Sequence, residues 1–278
     1  MRMNLLLLLF ITALLSACAS FPAPAERRVQ ADALAASHQW EGVVLKAGVF
    51  QLQAYVPPVQ TKASLLTVYL EGDGFAWISS TLPSADPTPI DPLALRLALA
   101  QPEGNIAYLG RPCQYLGAGQ PHCSQRYWTG ARFSEEVVAS LDKAIDQLKA
   151  RVGAERLILI GYSGGGALSL LLAARRSDVV GIVTVAGNLD PAAWTAYHGV
   201  TPLQGSLNPA DFRPALAQLP QLHLVGSADR VVPPSLTEAF VAAYPSGHRA
   251  TVKVMAGYDH ACCWVQHWDR LLGTSGIQ

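Results

Sequence analysis

Gly161-Tyr162-Ser163-Gly164-Gly165 sits between the apolar run Leu157-Ile158-Leu159-Ile160 and the helix-like run Ala167-Leu168-Ser169-Leu170-Leu171-Leu172-Ala173-Ala174. The segment reads as strand, tight turn and helix, with a serine at the turn. Glycines two residues before and two after that serine remove the Cβ atoms that collide where a strand reverses into a helix. The hydroxyl is then presented on a strained bend at the C-terminal edge of a sheet. In a chain with 23 glycines, the alternative is a glycine-rich turn without chemistry. The flanking strand and helix weigh against it.

The rest of the body repeats the pattern. Leu65 to Leu70, Ile106 to Leu109, Leu157 to Ile160, Gly181 to Val185, Leu222 to Val225 and Thr251 to Met255 are short apolar runs rich in β-branched residues. Longer helical stretches separate them. In Ser134 to Arg151, Val137, Val138, Leu141, Ile145 and Leu148 recur at steps of three and four behind Ser134 as N-cap, with Glu135 and Glu136 in the first turn. Alternation of this kind predicts an α/β fold, a mainly parallel twisted sheet with helices on both faces. Gln39 to Val56 is expected to supply earlier antiparallel strands.

Active sites in such sheets form where the strands end, so the residues after each run carry the functional reading. Glu71-Gly72-Asp73-Gly74-Phe75 follows the first run, and its glycines let backbone N–H groups turn toward a neighbouring centre. Ser163 follows the third. Gly226-Ser227-Ala228-Asp229 follows the fifth and offers a carboxylate, and Ala256-Gly257-Tyr258-Asp259-His260 follows the last and offers an imidazole. A serine hydroxyl is a poor nucleophile at neutral pH unless a base takes its proton, and imidazole, with an ordinary pKa near 6.5, suits that task. A carboxylate on the other ring nitrogen fixes the tautomer and stabilises the imidazolium. Asp190, in Asn188-Leu189-Asp190-Pro191, is the competing carboxylate. Asp259 reads as a turn former, and His198, His223, His248 and His267 read as surface or packing residues.

The elbow, the chain order serine, acid, histidine, and the glycine loop after an early strand together resemble the α/β-hydrolase superfamily from about Leu65 to the C-terminus. The resemblance implies Ser163 as nucleophile, His260 as base and then acid, and Asp229 as its orienting partner. It implies the backbone N–H of Gly164 as one oxyanion donor and that of Asp73 or Gly74 as the other. Members often carry histidine where this chain has Glu71, which is expected to anchor the loop through hydrogen bonds instead. The stretch from Asn188 to Pro220 shows no long helix pair, so a small cap or none is expected. Phe75 to Pro92 and Arg111 to Phe133, with Tyr115, Tyr127 and Trp128, are expected to wall the site, their aromatic residues facing either an acyl group or the protein's own core.

The N-terminus is a separate object. After Met1-Arg2-Met3-Asn4, the apolar run Leu5 to Leu15 is followed by small residues. At about 1.5 Å per residue, a run of this length cannot cross a hydrocarbon core of about 30 Å, so residues 1–17 read as an export signal. Leu15-Ser16-Ala17-Cys18 resembles the bacterial lipoprotein box, which implies lipidation of Cys18 and anchoring in the cell envelope. Ala19, rather than an aspartate, implies the outer membrane over the inner. Residues 18–37 then read as lipidated cysteine and tether, and residues 38–278 as a single hydrolase domain.

Lysine and arginine number 20 against 20 aspartate and glutamate, and loss of Arg2 with the signal leaves 19 against 20. Near neutrality without a basic run argues against a nucleic-acid partner. Export permits disulfides; Cys113 with Cys123 is the economical bridge, while Cys262 and Cys263 pair with that set or with each other. Neither pair has the spacing of a zinc site. The combined expectation is a monomeric, lipid-anchored serine hydrolase that cleaves a small-molecule carboxylic ester and needs no cofactor or metal. A peptidase or amidase on the same fold, or a catalytically silent binding lipoprotein, are the alternatives.

Overall fold

A computed structural model describes residues 21–58, 64–117 and 119–273. Residues 1–17, expected as an export signal, and Cys18 lie outside the described residues. Eight strands form one sheet: β1 (Glu41–Ala47), β2 (Phe50–Val56), β3 (Leu65–Leu70), β4 (Asn105–Leu109), β5 (Arg156–Tyr162), β6 (Val179–Val185), β7 (Gln221–Gly226) and β8 (Ala250–Met255). Their order across the sheet is β1-β2-β4-β3-β5-β6-β7-β8. The pairs β1 with β2 and β2 with β4 are antiparallel. From β4 onward every neighbour is parallel.

The central strands are buried on both faces, which is why they read as continuous apolar runs rather than as alternating ones. One face packs under helices α3 (Glu135–Val152), α4 (Gly164–Ala173) and α6 (Pro234–Ala242) through Leu141, Ile145, Leu168 and Phe240. The other lies under α1 (Pro24–Ser37), α2 (Leu93–Ala100) and α7 (Trp268–Gly273) through Ala31, Leu97 and Trp268. A further helix, α5 (Pro191–His198), follows β6. Ser134 occupies the N-cap of α3, yet its hydroxyl makes no capping bond. Gly153 closes that helix in the left-handed conformation.

Residues 24–37, expected as part of the tether, form α1 and pack on the sheet. Pro24 begins the helix and Glu26 reaches back to the Ala23 amide at 2.9 Å. Arg27, Ala31 and Ala35, four residues apart, form its buried stripe. Between β6 and β7 there are α5, a short 3₁₀ turn at Pro209–Phe212 and a single helical turn, so there is no long helix pair to cap the sheet. Among the described residues, no helix is long and apolar enough to cross a membrane.

Candidate active site

Ser163 occupies the hinge between β5 and α4 with φ 50° and ψ −119°, a conformation that L-residues rarely adopt and that needs support from its surroundings. Its amide donates to the Val185 carbonyl at 3.0 Å, and its carbonyl accepts the amides of Gly166 and Asn188 at 3.0 Å each. A side chain at Gly161 would collide with the Gly165 backbone, so the close crossing of strand and helix requires glycine there.

The imidazole of His260 lies over this hinge. Its Nε2 is 3.0 Å from Ser163 Oγ, and its Nδ1 is 2.9 Å from Asp229 Oδ2. Asp229 is buried at 4% exposure, and its second oxygen accepts the amides of Val231 and Val232 at 2.8 Å. Both carboxylate oxygens are therefore occupied, one by the loop that follows β7 and one by the histidine. Trp194 and His198, on α5, in turn bond the Val231 carbonyl at 2.7 and 2.9 Å. The Tyr162 ring lies 5.3 Å from the imidazole.

Asp190, the competing carboxylate, is engaged elsewhere. Its Oδ1 caps α5 through the Ala193 amide and accepts from Asn208 Nδ2, and its Oδ2 pairs with Arg213. Asp259 accepts the amides of Ala261 and Cys262, as a turn former does. His223 is buried in β7 against Thr184 Oγ1, and burial pushes its pKa down to about 3.

The loop after β3 lies against the serine. A Cβ on Gly72 would stand 3.3 Å from Ser163 Cβ, and a Cβ on Gly164 would collide with the Asp73 carboxylate. The Gly72 amide donates to Glu71 Oε1 at 2.9 Å, and the Phe75 amide donates to Pro87 O at 3.1 Å. Between them, the amides of Asp73 and Gly74 have no acceptor among the described residues. The Gly164 amide is at the first position of α4, where no intrahelical acceptor exists.

Two carboxyl groups hold this loop. Glu71 is buried; its Oε2 accepts from Tyr108 Oη at 3.0 Å, and Tyr108 bonds Tyr115. Burial pushes its carboxyl up to about 7, against the opposing hydrogen bonds of Gly72 and Tyr108. Asp73 pairs with Arg111 and Arg132. Burial raises its pKa, but the two guanidinium groups outweigh that and hold it at about 2. Sequence reasoning missed both arginines. Arg111 was within reach of it, since it follows β4 as the candidate loops follow their own strands. Arg132 carries no such signal.

Aromatic residues expected in the walls turn inward. Trp128 donates its indole N–H to Ser84 O at 3.1 Å and so ties the two wall segments together; Tyr115 is buried, and Tyr127 packs on Phe50. Cys113 is bonded to Cys123, and Cys262 to Cys263. A cavity of about 510 Å³ opens at the opposite ends of the strands, near Leu65, Thr67 and Asn105. None of the residues around Ser163 borders it.

A family model for the alpha/beta hydrolase fold matches residues 117–197. No curated protein matches the sequence at a significant level. Among solved structures, the chain is similar to the esterase Pf2001 of Pyrococcus furiosus, with TM-score 0.60 and 11% identity over 86% of this chain and 90% of that one. The chain has the α/β-hydrolase fold. The chain is also similar to Est1E from Butyrivibrio proteoclasticus, with TM-score 0.57, 15% identity and coverage of 85% and 99%. XC6422 from Xanthomonas campestris, described as a serine hydrolase without a lid, has TM-score 0.52, 17% identity and coverage of 84% and 95%.

Proposed function

We propose that the protein is a serine hydrolase that cleaves a carboxylic ester through an acyl-enzyme. The observation that carries this reading is the hydrogen-bonded chain from Ser163 Oγ through both nitrogens of His260 to Asp229 Oδ2. A carboxylate only accepts hydrogen bonds, so Nδ1 carries the proton that faces Asp229 and Nε2 is left to accept from the serine. As Oγ attacks the ester carbon, Nε2 takes the hydroxyl proton. The carbonyl oxygen becomes an oxyanion, received by the amides of Gly164 and of Asp73 or Gly74. Collapse breaks the bond to the alkoxide, which leaves as an alcohol with the proton from Nε2. Water then attacks the acyl-serine with His260 again as base, and release of the acid restores Ser163.

The same reading takes the chain as an envelope lipoprotein anchored through Cys18. The esterase Pf2001 favours ester over amide turnover only by analogy of fold. The test is intact mass after a fluorophosphonate probe. One adduct is expected on the native chain and none on Ser163→Ala. An unmodified, folded native protein overturns the hydrolase reading.

A further inference from the structure

Immediately beyond the loop beside Ser163, the chain runs out into solvent. From Gly74 to Ala85 there is no charged residue. Residues 77–82 are exposed throughout and form the end of a hairpin. Trp77 bridges to Pro83, and the Ile78 amide donates to the Leu82 carbonyl at 2.8 Å. Trp77, Ile78 and Leu82 are 38%, 46% and 55% exposed, and the residues between them are Ser79, Ser80 and Thr81. Large apolar side chains among hydroxyls, with an indole and no charge, match the interface of a lipid layer, where an aromatic body is buried and its polar edge stays wet.

The N-terminus meets the base of the same hairpin. The Phe21 ring lies 4.7 Å from that of Phe75, whose ring also receives the Arg27 guanidinium at 5.2 Å. Phe21 is itself 54% exposed. Only three residue steps separate Phe21 from Cys18, a reach of about 11 Å at most. A lipid on Cys18 therefore enters its membrane beside the hairpin. Any arrangement that holds the anchor in a bilayer brings the hairpin close to the same surface.

We propose that the hairpin Trp77–Leu82 is a second membrane contact, which seats the domain on the lipid surface with the mouth of the Ser163 site turned toward it. This rests on the lipoprotein reading of Cys18. An acyl anchor alone leaves a domain free to swivel, and a second apolar contact fixes its face. Tyr197 of α5 and Val231 of the loop after β7, which follow the ends of β6 and β7, are exposed apolar residues too. Esters reaching the serine would then come from molecules held at that interface.

The test uses the full chain with its anchor, reconstituted in phosphatidylethanolamine and phosphatidylglycerol vesicles with or without brominated acyl chains. Co-flotation with the vesicles checks the anchor first, and a chain that does not float removes both the anchor and this inference. With a floating protein, bromination is expected to quench tryptophan emission, and the quenching is expected to be lost in Trp77→Phe and restored when Leu82→Trp is added. Equal quenching in the native chain and Trp77→Phe, or none in either, overturns the inference and leaves the anchor standing. Neither readout depends on ester turnover.

Discussion

Asp229 and Asp190 follow neighbouring strands, and what each carboxylate touches separates their roles. Asp229→Asn keeps the two amide bonds from Val231 and Val232 but presents the wrong hydrogen-bond partner to His260 Nδ1. The expected loss of kcat is on the order of ten-thousandfold in an ester assay. Asp190→Asn is expected to leave kcat within a few-fold and to lower stability by about 1 kcal/mol, because it weakens the α5 cap and the Arg213 pair. A large kcat loss in Asp190→Asn with normal turnover in Asp229→Asn would reverse the assignment. Glu71 makes a different prediction. In the folded chain its carboxyl keeps its proton up to about pH 7, whereas in the unfolded chain it releases it near 4.5. Between those values the folded state binds more protons, so this contribution is complete below about pH 4.5 and is lost as pH rises through 7. The difference is about 3 kcal/mol. Asp73, held low, acts in the opposite sense: its contribution is complete above its ordinary value of 3.8 and is lost only as pH falls toward 2. Urea midpoints at pH 4.5 and 7 should therefore move less in Glu71→Gln than in the native chain; equal movement would show that Glu71 is already ionised across that range. The hydrogen-bonded serine, histidine and acid are legible because each follows an apolar run. The Asp73 ion pairs are not, because Arg132 lies in an irregular loop without a period to mark it.

At the scale of elements, the parallel strands announce themselves because burial on both faces makes each a continuous apolar run, and their observed ends lie at most two residues beyond the sequence-derived runs. Helix α3 is equally plain from its apolar steps. Helix α1 is not: its buried stripe is an arginine and two alanines, which look like a polar, alanine-rich tether until the sheet beneath them is known. The loop from Arg111 to Phe133 is held by means other than regular structure. Its bridge from Cys113 to Cys123 spans a sequence separation of 10. In the loop-entropy account a closure of that size contributes roughly 2 to 3 kcal/mol. For a domain of this length each kcal/mol moves Tm by about 2–4 °C, so Cys113→Ala with Cys123→Ala is expected to lower Tm by about 4–12 °C. The double variant isolates this bridge from that of Cys262 and Cys263, which a reducing agent would also open. An unchanged Tm would place the loop's order in the buried contacts of Tyr115 and Trp128 alone.

Strand order belongs to the whole molecule and was beyond reach in the sequence, since nothing local places β4 between β2 and β3. That placement brings Arg111, at the end of β4, beside Asp73 at the end of β3, so the topology itself builds the ion pairs around the serine. The N-terminal helix reaches the same region from the other side. Buried Arg27 donates to the carbonyls of Asp86 and Thr88 and faces the Asp86 carboxylate at 3.8 Å. Pro87, between those two residues, accepts the Phe75 amide, and a Cβ on Gly74 would collide with its carbonyl. Arg27 thus clamps the segment that backs the loop beside Ser163. Removing one partner from a buried ionic arrangement leaves the other uncompensated, and Arg27→Ala is expected to cost about 3 kcal/mol. A second effect follows from position: kcat should fall in the fraction that stays folded, because the Asp73 and Gly74 amides lose their backing. Asp32→Ala supplies the comparison, since it removes the 2.7 Å bond from Tyr55 Oη and the ion pair with Arg28 on the far side of α1 and should leave kcat unchanged. If both variants lose stability and neither loses kcat below the melting transition, α1 supports the sheet but does not hold the site.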